Sequence, residues 1–170
     1  DSFGHKSCAI RATVTRPRAT LKWPVRDALG MGHVDGDAVE WDETEREEMH
    51  VRRKELGAAA DGERLGCSLY ELPAGARSWP YHYHTANEEA MYVLAGAGQV
   101  RLADEVVAVD AGDYLAFPAD ASGAHRVVND SEAPLRYLAF STMDDPDMTV
   151  YPDSGKFGVF VGSPPGGREE

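Results

Sequence analysis

His82 and His84 stand either side of one tyrosine in Ser78-Trp79-Pro80-Tyr81-His82-Tyr83-His84, and Glu89 follows the second histidine by five positions. In an extended chain, residues i and i+2 leave the same face, so both imidazoles can point into one space. Neutral imidazoles and a carboxylate meeting at one point suit a divalent metal. The chain has 6 histidines. His5, His33 and His50 are set aside, the first two as solvated residues in loop-like surroundings. His125 remains. It lies in Gly123-Ala124-His125-Arg126-Val127-Val128-Asn129, a strand-like run after a Pro-containing loop. An antiparallel roll can bring this run beside the histidine pair, giving His82, His84, Glu89 and His125 as candidate ligands. Such mixed nitrogen and oxygen ligation accepts one divalent ion of Fe, Mn, Ni, Co or Zn, and affinity alone does not choose among them.

Glu88 competes with Glu89 for the carboxylate position. Glu89 is preferred because Glu89, Met91 and Val93 then share one face of the outgoing strand, which turns Glu88 away. Met91 and Gln99 are candidates for the wall of a binding pocket by alternation and nearness. Trp79 and Phe117 read first as core residues and second as platforms for a substrate, with Phe117 carried as a possible wall residue. Tyr81 and Tyr83 fall opposite the histidine pair and read as packing residues. Arg77 reads as a surface arginine before a substrate anchor.

The elements that must hold these residues are short strands. Leu65, Cys67 and Leu69 alternate with Gly66, Ser68 and Tyr70, the period of a half-buried strand. Strand-like runs follow at about 77–84, 90–94, 98–102, 105–109, 113–117, 124–128, 135–141, 147–151 and 156–160. Between them lie turn signals such as Gly96, Asp110-Ala111-Gly112, Asn129-Asp130-Ser131 and Pro152 to Gly155. Many short strands at regular spacing predict an antiparallel sandwich or barrel. Before residue 60 the pattern weakens. Cys8 to Thr15 is a poor strand candidate, and Gly30 to Asp37 reads as a loop. Trp41 to Leu56 suits either a short helix with acids early and bases late or a strand edged with charge. Ala58 to Gly62 reads as a loop. The expected organisation is an N-terminal arm with added strands over 1–60, a barrel over 61–162 and a flexible tail over 163–170.

A net charge of −12 and a pI of about 4.9 disfavour nucleic acid and anionic membrane surfaces as partners. No apolar run approaches the roughly 18 residues a membrane helix needs. The two cysteines, Cys8 and Cys67, have no CxxC partner, and Cys67 lies in an apolar run where a buried free thiol is expected. With no signal-peptide pattern at the start, a cytoplasmic location is expected. The chain begins at Asp1 rather than Met, so its numbered start is expected to be trimmed.

The two ligand stretches resemble the paired motifs of the cupin superfamily. The first motif places glycine, a spacer, His-x-His, a short spacer, glutamate and a further glycine. Here these are Gly75, His82, His84, Glu89 and Gly96. The second motif is matched by Gly112, Pro118, His125 and Asn129. The spacer before His82 is one residue longer than the commonest form. The Pro118-to-His125 loop is two residues longer, with Asp120 where glycine is usual. The resemblance spans about residues 64 to 141 and implies an all-β fold, an antiparallel jelly-roll barrel (a double-stranded β-helix) with an N-terminal arm.

Cupin resemblance implies many activities, among them dioxygenases, decarboxylases, isomerases, epimerases and cyclases, as well as binding without turnover. Fold alone selects none of them. A three-histidine, one-carboxylate centre leaves positions for water, dioxygen or a chelating substrate. A metal-dependent enzyme on a small organic substrate is therefore expected, with oxygenase chemistry ahead of isomerase or lyase chemistry. The alternative is a metal-containing small-molecule binding or sensing module. The resemblance also implies a homodimer, with the N-terminal segment and the run Asp147 to Val161, including Phe157, Val159, Phe160 and Val161, as candidate contact arms.

Overall fold

The computed structural model of the chain describes residues 32–162. The expectations for His5, Cys8 to Thr15, Gly30 and the tail at 163–170 lie outside the described residues. Twelve strands follow in order: β1 (Asp42–Arg46), β2 (Met49–Lys54), β3 (Leu65–Leu72), β4 (Tyr83–His84), β5 (Glu89–Ala95), β6 (Ala97–Arg101), β7 (Val106–Asp110), β8 (Tyr114–Phe117), β9 (Arg126–Val128), β10 (Leu135–Thr142), β11 (Asp147–Tyr151) and β12 (Lys156–Phe160). They form an all-β antiparallel jelly-roll barrel from a six-stranded sheet in the order β1-β2-β3-β10-β5-β8 and two three-stranded sheets, β12-β11-β4 and β7-β6-β9.

The charged run at 41–56 takes the strand alternative. β1 and β2 form a hairpin, with Thr44 opposite Val51 and Glu47 at φ 53° in its turn. Buried Met49 and Val51 alternate with partly exposed neighbours, so packing against the barrel outweighs helix propensity here. The hairpin is continuous with the barrel because β2 pairs with β3. The expected loop at 58–62 instead opens with a helical turn, α1 (Leu56–Ala59). The expected strand over 77–84 also shortens: Arg77 and His82 make only isolated bridges and Tyr83–His84 alone forms a strand. Pro80 interrupts this segment with no N–H to give.

The interior is built in layers across the large sheet. Val51, Leu72, Val93 and Leu135 are at most 1% exposed. One step along, Tyr70 faces Tyr137 across the β3–β10 pair, their rings stacked with centroids 5.2 Å apart. Further on, the row turns polar: Ser68 lies opposite Ala139 and Gly66 opposite Ser141, while Ser141 lies opposite Glu89 on β5 and Glu89 opposite Phe117 on β8. The same period carries the inner face of β2 from Met49 and Val51 to Arg53.

Two turns are tightly specified. Asn129, fully buried, donates from Nδ2 to the carbonyls of Leu72, Pro73 and Ala133 and accepts from Ser131. It thereby satisfies backbone groups that would otherwise be stranded. Gly96 sits at φ 84°, and a Cβ there would lie 2.5 Å from the Pro134 carbonyl oxygen, so both backbone angle and close approach require glycine.

On the outside, Phe157, Val159 and Val161 are 67%, 60% and 72% exposed along β12 and just beyond it. Among the described residues, no helix is long and apolar enough to cross a membrane.

Candidate metal centre

Backbone pairing brings the histidine-bearing segments together. His82 and His125 form an antiparallel bridge, exchanging N–H···O bonds of 3.2 and 2.9 Å. Directly paired residues project to one side of a sheet, and the two imidazole centroids lie 4.9 Å apart. His84 sits on β4, opposite Thr149 of β11, with its ring centroid 5.4 Å from that of His82. Glu89 opens β5 on the inner face. Its Oε2 lies 3.6 Å from His84 Nε2 and 3.7 Å from His125 Nε2. One ligand atom each from His82, His84 and Glu89 lie within 4.8 Å of one another. Glu88 is exposed instead, its backbone N–H donating to Thr142 Oγ1 at 3.0 Å.

Each imidazole is held by its Nδ1. His82 Nδ1 bonds the Pro80 carbonyl at 2.8 Å and His125 Nδ1 bonds the Gly123 carbonyl at 2.9 Å. Carbonyl oxygens only accept, so both rings carry their proton on Nδ1 and present the Nε2 lone pair. His84 Nδ1 bonds the Asp147 carboxylate at 2.5 Å, and that carboxylate also accepts the Ala86 N–H at 3.0 Å. Burial alone would raise the Asp147 carboxyl, but the hydrogen bonds from His84 and the Ala86 N–H outweigh it and hold it below the ordinary carboxylate range. Burial likewise holds His125 below the usual imidazole range, against the attraction of Glu89. A neutral imidazole is the form that can donate a lone pair.

This donor set fits a divalent ion. At metal–ligand bonds of about 2.0 to 2.2 Å, neighbouring ligand atoms around one ion lie roughly 3 to 3.5 Å apart. The Glu89-to-imidazole separations of 3.6 and 3.7 Å are close to that spacing and too long for hydrogen bonds. The Nδ1 bonds to carboxylate and carbonyls are the outer contacts that metal-ligating histidines use to fix ring and tautomer.

The other expected site residues separate. Phe117 is buried with its ring stacked on His125, centroids 3.8 Å apart and 12° from parallel, so it backs the imidazole directly. Met91 is fully buried one alternation beyond Glu89, against the core. Gln99 does not join them. It lies on β6 between inward-facing Gly98 and Val100 and donates to Asp130 at 2.6 Å. It therefore faces away from the interior, opposite to the expected pocket face, on a strand that belongs to another sheet. Arg77 is tied to Glu48 at the surface at 2.6 Å. Tyr81 packs beneath the Arg101 guanidinium, 3.9 Å from its ring centroid. Trp79 packs partly buried against the core. Asp147 and Tyr151, whose ring lies 5.9 Å from that of His82, had no signal in the sequence, because the β4–β11 pairing that delivers them joins segments 63 residues apart.

Comparison with known proteins agrees with this architecture. Residues 68–141 match the family model described as Cupin domain, and this part of the chain is a cupin domain. Among solved structures, it is similar to a putative sugar phosphate isomerase from Acidithiobacillus ferrooxidans, at 26% identity over 73% of this chain and 86% of the other, with a TM-score of 0.66. It is also similar to a sugar phosphate isomerase of the cupin superfamily from Silicibacter pomeroyi, at 25% identity over 76% of this chain and 92% of that one, with a TM-score of 0.66. A polyketide cyclase from Streptomyces resistomycificus shares the fold at 21% identity over 69% of this chain and 83% of its own, with a TM-score of 0.57. No curated protein sequence matches the chain.

Proposed function

We propose that this cupin holds one divalent metal through His82, His84, Glu89 and His125 and acts as a metal-dependent enzyme on a small hydroxylated organic substrate. The observation that carries the reading is the convergence of one ligand atom each from His82, His84 and Glu89 within 4.8 Å of one another, with His125 Nε2 3.7 Å from the Glu89 carboxylate and each of the three imidazoles tied by Nδ1 to an acceptor. The bound ion would supply Lewis-acid polarisation of a substrate oxygen, or, if redox-active, a point where substrate and dioxygen meet. The chain's own residues keep the ligand lone pairs aimed and shield one side of the centre, where Phe117 covers His125.

Isomerase chemistry is the better-supported branch. Two solved structures at 25% and 26% identity bear sugar phosphate isomerase names, whereas oxygenase chemistry rests on the donor set alone. Elemental analysis should find about one divalent metal per chain, and none in the His82→Ala/His84→Ala protein; equal metal in both would overturn the ligand set. Metal-loaded protein should then exchange substrate C–H protons with D2O when screened against aldose and ketose phosphates, without oxygen uptake. Oxygen consumption instead would move the assignment to the oxygenase branch. Tight binding with no exchange across metals would indicate a sensing module.

A further inference from the structure

β2 is read by its alternation as an apolar inner strand until its last inward position. Met49 and Val51 are core residues, and Arg53 continues their row. A guanidinium there costs desolvation, so it needs partners. One side is met by Glu55, whose carboxylate pairs with Nη2. The other side is not: Arg53 Nε is sealed from solvent and has no hydrogen-bond acceptor among the described residues. Arg53 lines a cavity of about 140 Å³ whose wall also includes Ser68, Tyr70, Ser141 and the candidate ligand Glu89. A larger depression of about 540 Å³ adjoins it, and Arg53, Glu55 and Ala58 border both spaces. At about 30 Å³ per water, the inner space takes a group of a few heavy atoms.

We infer that Arg53 is the anchor for an oxyanion on the substrate, a carboxylate or a phosphate, whose hydroxylated remainder reaches the centre at Glu89. Three observations converge. The cavity is lined both by a cation and by a candidate metal ligand. Ser68 and Tyr70, whose hydroxyls can donate to a polar ligand, are among the lining residues. The buried Nε–H lacks the acceptor that an oxyanion supplies, and guanidinium-to-oxyanion hydrogen bonds are among the strong ones. Arg53 lies outside residues 68–141, the part matched by the cupin model, so this contact is contributed by the added hairpin rather than by the common barrel. The inference rests on the metal reading for the identity of the second contact only.

The test follows the Arg53 Nε–H resonance by 15N NMR in metal-loaded protein titrated separately with inorganic phosphate and with glycolate. A saturable shift with one of them is expected, and the anion that saturates names the oxyanion class. Arg53→Gln should weaken that binding about tenfold to a hundredfold, the usual range for a lost charge-assisted hydrogen bond. Arg53→Lys, which keeps charge without the fork, should weaken it measurably if Arg53→Gln fails to fold. Arg101→Gln, at an exposed pair with Asp153, should leave it unchanged. An unmoved Nε–H with both anions, or equal weakening by Arg53→Gln and Arg101→Gln, overturns the assignment and leaves Arg53 as the structural partner of Glu55. Metal content measured on the same samples separates the two readings: no metal in wild type sinks the metal centre, while the Nε–H titration, repeated on that metal-free protein, still decides Arg53.

Discussion

Replacing Asp147 by asparagine probes the centre without touching a ligand. The wild-type carboxylate accepts from His84 Nδ1 at 2.5 Å and from the Ala86 N–H at 3.0 Å, so both oxygens are committed, and the side chain is only 6% exposed. An amide of the same shape has one acceptor. If its oxygen keeps His84, the NH2 group faces the Ala86 N–H and leaves that donor unsatisfied, at a cost of about 1 to 3 kcal/mol. If its oxygen keeps Ala86, the NH2 group faces His84 Nδ1, the imidazole must shift its proton to Nε2, and the lone pair aimed toward Glu89 is lost. Thr149 Oγ1, at 3.3 Å from the same Nδ1, is too distant to replace a carboxylate. Either outcome should lower metal affinity by about 10- to 100-fold, the range for outer-shell changes, which is about 1.4 to 2.7 kcal/mol. Competition with a chromophoric chelator for Zn(II) or Co(II) measures this directly, with Asp153→Asn as a surface control. An Asp147→Asn protein that folds and holds metal within about twofold of wild type would refute the claim that Asp147 orients His84.

Other perturbations have equally definite outcomes. A Cβ on Gly123 would lie 2.0 Å from the Pro118 carbonyl oxygen, so Gly123→Ala should cost about 1 to 3 kcal/mol in denaturant unfolding. Because the Gly123 carbonyl holds His125 Nδ1, metal affinity should fall too, and a loss of stability with unchanged affinity would dissociate loop from ligand. Phe117→Leu removes the ring stacked on His125 while keeping much of its volume. It should lower stability by about 1 kcal/mol and broaden the His125 imidazole NMR signals; unchanged signals would refute a positioning role. Burial holds the Tyr137 phenol well above its ordinary range. A group whose folded pKa is raised adds stability that is whole below its unfolded value, near 10, and is lost as pH climbs beyond it. Equilibrium unfolding should therefore show stability declining above about pH 10, with a shallower decline in Tyr137→Phe and an identical one if the phenol is irrelevant.

The sequence made the site more legible than its surroundings. His82 and His84 were readable because a period of two needs no tertiary information. Glu89 followed because Met91 and Val93 reveal which face of β5 is buried. His125 emerged by elimination among few histidines. What escaped depended on which strand meets which. Gln99 was read as a wall residue, yet it turns away from the interior between Gly98 and Val100, on a strand of another sheet. Arg53 lay in a stretch whose charges fit helix and strand equally, and its inward direction follows only from the β2–β3 pairing. Asp147 is chosen by the register of β11 on β4, which local composition does not encode.

The candidate ligands come from different sheets: His84 from the β12-β11-β4 sheet, Glu89 from the six-stranded one, and His125 from the residue preceding β9 in the third. An ion bound there would act as a fastener between layers that otherwise meet through side-chain packing and isolated backbone bridges. Ligand binding to the native state alone adds about 2.7 kcal/mol at a hundredfold excess over Kd. That gain would be localised at the seams, so amide exchange should slow most in the short strands β4 and β9, which have few hydrogen bonds of their own to hold them. Metal occupancy would then be readable as a timescale: rapid exchange at one end of the barrel when the ion is stripped, and uniform protection once it returns.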